Sequence, residues 1–446
     1  MRQVFLTVDL GFGDAGKGTI VDFLTRAHAA HTVVRYNGGA QAGHRVVTGG
    51  VSPQEHVFAQ FGSGTLAGAA THLSRFMLVD PLAMVAEGQQ LRALGVDAFA
   101  VTTVDERALV ITPFQRAINR LKELARGDRR HGSCGMGIGE TMADYLAHGE
   151  RVLFAGDLRQ PDVLWGKLAF LRAVNRAKTR ELDLPDGEAV TREREPLSSG
   201  DWMDWLVDRY TAFTRQVRIV PEAYLQRILG QPGTVIFEGA QGVLLDEWWG
   251  FHPHTTWSTT TLAQADRLLG EAGYTGEVSR IGITRGYATR HGAGPLVTED
   301  AQLTRALPDA RNGVSDWQQH FRVGWLDLMM LRYALDVTGQ VDALAVTCLD
   351  RLSELPEVKV CRCYRHDSAM VDRIARAPVA RSLAYQEQLT HQLAVCRPVL
   401  EPVVDAEALL DLLGATLRVP VALASWGPTA EDKSYRAMRQ TAGQRA

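Results

Sequence analysis

Nine residues near the amino terminus, GFGDAGKGT at positions 11–19, follow an apolar run at 4–10 and precede a helical pattern carrying Ile20, Val21, Phe23 and Leu24. A glycine-rich turn joining a strand to a helix is a phosphate cradle: glycines let successive N–H groups turn toward an anion, and the helix N-terminus adds a favourable dipole. Lys17 supplies a cation for the terminal phosphates, with Gly13, Gly16 and Gly18 lining the turn. The loop departs from the usual phosphate-binding pattern, in which Ser or Thr follows the lysine and holds magnesium. Here Gly18 takes that place and Thr19 comes one residue late. Asp14, inside the loop, is the candidate to hold the metal beside the transferring phosphoryl group. The plainer alternative is a glycine turn with a buried, helix-capping Asp.

Such a turn belongs in an α/β protein, and the rest of the chain agrees. Strand-like runs fall at 4–10, 32–35, 75–79, 109–112, 234–238, 280–284, 343–349 and 358–363, with helical patterns at 81–94, 113–126, 163–179, 202–212 and 327–338. This alternation predicts a large, mostly parallel central sheet flanked by helices, with ligands at the carboxyl ends of the strands. The 446 residues read as a single domain, 1–446, with a polar, aperiodic surface insertion around 182–200 and a polar tail at 430–446.

Composition narrows the function. A hydrophobic content of 46% and a charged content of 22% suit a globular enzyme with a large core, and a net charge of -3 with no basic tract argues against nucleic acid. No apolar run is long enough to cross a membrane and the amino terminus enters a strand directly, which predicts a cytoplasmic protein. Five cysteines, Cys134, Cys348, Cys361, Cys363 and Cys396, read as free thiols. Cys361 and Cys363 should share one face of a strand, without further ligands at metal spacing.

A second glycine-rich turn, RYNGGAQAGH at 35–44, follows the second strand and brings Gln41, Gly43 and His44 near the first cradle. A histidine there can donate to oxygens whose charge grows as a phosphoryl group leaves, or it can be an idle surface residue. Taken together, GFGDAGKG and RYNGGAQAGH resemble the two signature turns of the adenylosuccinate synthetase family. GSCGMGIG (132–139), FEGAQGVLLD (237–246), TRGYATRHGAGPLVTE (284–299), RVGWLD (322–327), VTCLD (346–350) and SWGP (425–428) extend that resemblance, in family order, across nearly the whole chain.

The resemblance implies the corresponding fold and a two-step ligation. GTP phosphorylates the 6-oxygen of IMP, and the amino group of L-aspartate then displaces the phosphate to give adenylosuccinate. It assigns Asp14 to N1 of the purine, His44 to the β/γ bridge and Lys17 to the phosphates, with one magnesium per site held by Asp14 and the Gly43 carbonyl. For the triphosphate it adds Gly13, Gly16, Gly18, Thr19, Asp350, Ser425 and Gly427. For the purine nucleotide it adds Gln41, Cys134 where the family has Thr, with Ser133 beside it, Gln241 and Thr256. It also implies a homodimer whose neighbour reaches the nucleotide phosphate from the position of His148, with Arg151 close by.

Three departures bear on specificity. The amino-acid loop reads VSDWQQHFR at 314–322, with Gln319 and Phe321 in place of arginines and Asp316 adding negative charge; Arg290, Arg311 or Arg322 could compensate. This loop is similar to that of the phage branch that makes 2-aminoadenylosuccinate from dGMP, so a guanine nucleotide, with ATP or GTP, is the alternative substrate. Another amino donor is a further alternative. Cys348 replaces the lysine that packs on the triphosphate base, while Asp350 keeps an acceptor for guanine and favours GTP over ATP. A nucleotide sensor without catalysis, or a phosphate-loop kinase of another family, are the competing classes. Trp248, Trp249, Trp257, Trp317 and Trp426 cluster around the motifs and either shape the pocket or pack the core.

Overall fold

The computed structural model describes residues 2–127, 130–309, 312, 317 and 320–436. Its centre is a ten-stranded sheet in the order Lys433–Tyr435, Val421–Ser425, Ala343–Thr347, Glu277–Arg285, Arg2–Asp9, Gly233–Glu238, Thr32–Arg35, Ala70–Leu73, Thr102–Asp105 and Arg218–Val220. Every pairing is parallel except the first, between Lys433–Tyr435 and Val421–Ser425.

Arg2–Asp9 sits in the middle because both its faces are apolar. Val4, Leu6 and Val8 enter the larger core, while Phe5 faces a smaller one with Ile20, Val21, Leu24, Val33, Ile236 and Ile283. That period-two partition is what a strand covered on both sides requires, and each such side chain contributes about 1.5–3 kcal/mol by burial. The helix Lys17–Ala27 lies on the smaller core. A third core gathers residues between Val46 and Val217 around the helices Pro81–Ala93, Pro113–Arg126 and Pro161–Lys178. Pro113–Arg126 begins where the sequence dictates: Pro113 opens it, and Thr112 with Gln115 forms a reciprocal cap.

Several elements differ from expectation. The predicted strand at 75–79 resolves into Ala70–Leu73 and Leu78–Val79, and the short strand Thr102–Asp105 was not signalled, since TTVD has little apolar character. Much of the predicted loop at 182–200 is the helix Glu188–Ser198, despite Pro196 inside it. Val190, Glu193 and Leu197 are its buried face, and Arg120 of the helix Pro113–Arg126 donates to Glu193 at 3.3 Å. The polar tail supplies the antiparallel edge strand Lys433–Tyr435, with 437–446 outside the described residues. Cys361 and Cys363 do not share a face: a bulge interrupts the pairing of Val358–His366 with Arg397–Val403 between them, leaving Cys361 buried and Cys363 half-buried. All five cysteines are free.

Candidate active site

Asp9, Arg35, Glu238, Arg285, Thr347 and Ser425 all lie at the carboxyl ends of neighbouring strands, and the glycine-rich loop crosses their edge. Gly13, Asp14 and Gly16 take left-handed backbone angles, φ 94, 55 and 82. Only Asp14 does so with a side chain, a conformation glycine adopts at less cost. The helix Lys17–Ala27 starts at Gly16 without a side-chain cap, which leaves its first N–H groups available to an anion.

The missing metal-binding hydroxyl has a steric cause. A Cβ on Gly18 would stand 2.8 Å from the carbonyl oxygen of Arg45 and 2.8 Å from the carbonyl carbon of His44, so the chain that carries His44 occupies that space. Thr19 does not replace the hydroxyl, because its Oγ1 donates to the Pro428 carbonyl at 2.8 Å. It ties the loop to the 425–428 turn instead.

Lys17 is buried, and its Nζ donates to Asp9 Oδ2 at 2.7 Å. Asp9 also accepts from Gly11 N at 2.8 Å and Ala15 N at 3.0 Å, so one carboxylate shapes the loop from within and holds its lysine. His44 donates through Nδ1 to Glu238 Oε1 at 2.6 Å, and its Nε2 is buried without a partner. Burial pushes the imidazole down to about 4, so it is neutral at pH 7 with a free lone pair on Nε2. Burial alone would raise Glu238, but the Arg35 charge, His44 and Ser63 outweigh it and hold the carboxyl at about 2. Arg35 is Glu238's register partner in the next strand, and Ser63 donates to Glu238 from both N (2.9 Å) and Oγ.

The purine-side residues assemble around two turns. Gln41 has both amide atoms buried without partners, and Gln241, in a left-handed conformation, leaves its Oε1 likewise. A Cβ on Gly39 would lie 3.1 Å from Gln41 Oε1 and one on Gly38 would lie 3.4 Å from Gln241 Oε1, which places both amides on the same turn. Ser133 accepts from Asn119 at 3.0 Å, and the neighbouring Cys134 thiol is raised by burial. The helix Ile138–His148 begins at Gly137, also without a side-chain cap. Trp257 packs near Gly139, and Trp317 near Gly135 beneath Arg120. Thr256 is half-buried, with its N–H on Leu245 O at 2.9 Å. His148 and Arg151 both pack on Phe170 of the helix Pro161–Lys178 within the same chain.

For the triphosphate base, adjacent strands bring Asp350 and Ser425 to one edge; Leu349 N donates to Ser425 O at 3.1 Å, and Ser425 Oγ to Gly427 O at 3.2 Å. Lys433 donates to the carbonyls of Gly427 (2.9 Å) and Thr429 (2.6 Å), fixing this turn.

In the amino-acid region, Arg311, Asp316 and Gln319 lie outside the described residues. Arg322 is already engaged, with Nη1 on Glu299 at 2.6 Å and Nη2 on the carbonyls of Gly292 and Gly294. Arg290, buried over the Phe12 ring, spends its guanidinium on the carbonyls of Ala293, Pro295 and His254. All three guanidinium nitrogens of Arg290 are engaged, whereas Nε of Arg322 is buried without a partner. Arg285, inside the 284–299 motif but given no role there, donates to the Asp14 carbonyl and lies 3.6 Å from Asp309.

Among the described residues no group of three His, Cys, Asp or Glu side chains could hold a metal. One carboxylate and a backbone carbonyl, completed by phosphate oxygens and water, is nevertheless a donor set that suits magnesium.

The family model for adenylosuccinate synthetase matches residues 7–434. The chain belongs to the adenylosuccinate synthetase family. Adenylosuccinate synthetases of Chlorobium chlorochromatii and Chlorobium limicola are 34% and 32% identical to it, over 95% and 98% of both chains. Among solved structures, the fully ligated adenylosuccinate synthetase of Plasmodium falciparum has a TM-score of 0.79 at 19% identity, covering 97% of this chain and 100% of that one. The cyanophage S-2L succinoaminodeoxyadenylate synthetase, bound to dGMP and dATP as an energy donor, has a TM-score of 0.58 at 16% identity, covering 98% and 95%. Membership makes this chain a ligase, and the resemblance read from eight short motifs extends over the full fold.

Beyond those motifs, Asp9, Ser63 and Lys433 went unmarked. Arg35, Glu238, Arg285 and His291 stood inside quoted motifs without a role. For Glu238 a signal existed: an acid ending an otherwise apolar strand is poorly placed unless something pairs it.

Proposed function

We propose that this chain joins L-aspartate to the 6-position of IMP, consuming GTP, through a 6-phosphoryl intermediate. One observation supports this most: Asp14, Lys17 and the His44–Glu238 pair converge on an uncapped helix N-terminus, supplying a base, a cation and a polarised imidazole around one anion site. Asp14 takes the proton from N1, which turns the 6-oxo group into a nucleophile. Lys17 leaves Asp9 for the phosphates, and His44, with Nδ1–H held by Glu238 and a proton taken up on Nε2 as the triphosphate brings its negative charge, donates from Nε2 to the β/γ bridge. Phosphate then departs far more readily than hydroxide when the aspartate amine attacks. Asp14 and the Gly43 carbonyl would hold magnesium, which neutralises phosphate charge when bound.

For the triphosphate, Asp350 accepts from the N1–H and 2-amino donors of guanine, with Ser425 and Gly427 beside it, which favours GTP over ATP. Gln41, Ser133, Cys134, Gln241 and Thr256 receive the purine nucleotide. The chain acts as a cytoplasmic homodimer in which His148 or Arg151 reaches the neighbour's nucleotide; no helix among the described residues is long and apolar enough to cross a membrane.

The test is formation of adenylosuccinate, with phosphate release, from IMP, aspartate and GTP with magnesium. Asp14→Asn should lower turnover by about 100- to 10,000-fold. Turnover of dGMP but not IMP would replace this reading with the 2-amino one. Phosphate release indifferent to aspartate would leave only a nucleotide-binding protein.

A further inference from the structure

Asp14 is braced from two sides. Its carbonyl accepts from Arg285 Nε, and its Oδ2 lies 3.3 Å from Nε2 of His291. The position of His291 is fixed by the backbone: the strand Ala288–His291 pairs antiparallel with Phe321–Gly324, which sets His291 opposite Phe321. Their rings lie 4.9 Å apart, and Gly292 N donates to His320 O at 3.1 Å. The other ring nitrogen, Nδ1, is buried without a hydrogen-bond partner. The imidazole is therefore held by sheet register and an aromatic contact, with Nε2 aimed at the carboxylate that meets the base.

We infer that His291 sets the purine specificity of the site by occupying Asp14 Oδ2, so that the carboxylate reads a base edge with one donor and rejects a 2-amino purine. The inference rests on the reading that Asp14 faces N1. Hypoxanthine presents one donor there, N1–H, followed by an apolar C2–H. Guanine presents N1–H and the 2-amino group side by side, a pair that a free carboxylate takes with both oxygens. With His291 Nε2 standing 3.3 Å from Oδ2, the second donor of guanine meets the edge of an imidazole ring beside the one oxygen it could reach. A donor brought into such a site without an acceptor loses the hydrogen bonds it had in water, and that penalty falls on the 2-amino base alone. His291 acts through Asp14, so it is a positioning residue.

The experiment uses the full chain and two probes, IMP and GMP, and measures kcat/KM and the binding constant for each in wild type, His291→Val and His291→Gln. Wild type should favour IMP. His291→Val, which frees Oδ2, should lower the IMP:GMP ratio by about tenfold or more. His291→Gln keeps an N–H donor and should restore most of the ratio. A histidine with a merely structural role would depress both nucleotides alike, and an unmoved ratio in both variants overturns the inference. So does a wild-type preference for GMP with His291 in place. If wild type turns over neither nucleotide, the ligase reading fails on its own, and the ratio of binding constants decides His291: a shift toward GMP in His291→Val supports the inference and no shift overturns it. If His291→Val does not fold, the same ratio in His291→Ala, which likewise carries no donor, decides: a shift toward GMP supports the inference and no shift overturns it.

Discussion

Glu238 and Asp327 are both buried carboxyls, and their surroundings drive them in opposite directions. Glu238 ends a central strand beside Arg35, His44 and Ser63 and is held down at about 2. Asp327 caps the helix Leu328–Thr338 behind the glycine-rich loop, with Tyr364 Oη at 2.7 Å and the N–H groups of Met329 and Met330 at 3.0 and 3.2 Å. Burial pushes it up to about 6, because these neutral donors do not offset desolvation. Three neutral hydrogen bonds satisfy a carboxyl group; a cation in the neighbouring strand keeps it charged. The chain spends a buried arginine where phosphoryl chemistry needs a fixed negative charge, and omits it where the carboxyl only caps a helix.

The strongest way to break this contrast is Glu238→Gln. It removes the charge opposite Arg35, whose Nε and Nη2 have no hydrogen-bond partners, and leaves His44 Nδ1–H facing a neutral amide in place of a carboxylate. Leaving a buried cation unpaired costs about 3–5 kcal/mol, so the urea midpoint should fall sharply, and saturating GTP should not restore it. Turnover of the folded fraction should drop about 100-fold, as expected when an acid–base group loses the charge of its partner. An unchanged midpoint would mean that Arg35 does not depend on Glu238.

Asp9→Asn sharpens the comparison, because its cation has somewhere else to go. Without nucleotide the variant should lose about 3 kcal/mol, since Lys17 remains buried and unpaired. With saturating GTP most of that loss should return, as the phosphates replace the carboxylate. Thermal unfolding with and without nucleotide measures the difference between the two variants; equal recovery in both would show that Lys17 stays on Asp9 in the complex.

How much of this the sequence revealed depends on how local each arrangement is. The cradle was legible because strand, turn and helix are contiguous, and Asp14, Lys17 and His44 stand within or beside glycine turns. The brace behind them was not, because it comes from register. Glu238 meets His44 across 194 residues and Arg35 through a parallel pairing, and His291 reaches Asp14 because its strand pairs with Phe321. The loop predicted at 182–200 failed for a different reason: Pro196 and a charged run conceal an apolar face made by Val190 and Leu197, visible only once a partner helix is present. Arg290 and Arg322 look like free cations in the sequence, whereas in the fold they close the turn at 292–295.

Asp327 offers the mildest test, and it concerns pH. Its folded pKa, near 6, lies above the ordinary 3.8, so the native state binds a proton more tightly than the unfolded chain does. The stabilisation from that proton is complete below about pH 4 and is lost as pH rises through 6. A shift of about two units corresponds to at most about 3 kcal/mol between pH 4 and pH 7. Asn keeps the side-chain acceptor that caps Met329 and Met330 but has no proton to release. Asp327→Asn should therefore remove this contribution to the pH dependence, and at pH 7 it should equal or exceed the wild type in stability. Urea midpoints at pH 5, 6 and 7 for both proteins check it. Parallel curves would mean that Tyr364 and the two N–H groups hold Asp327 as firmly charged as Arg35 holds Glu238, and the contrast between the two carboxyls would disappear.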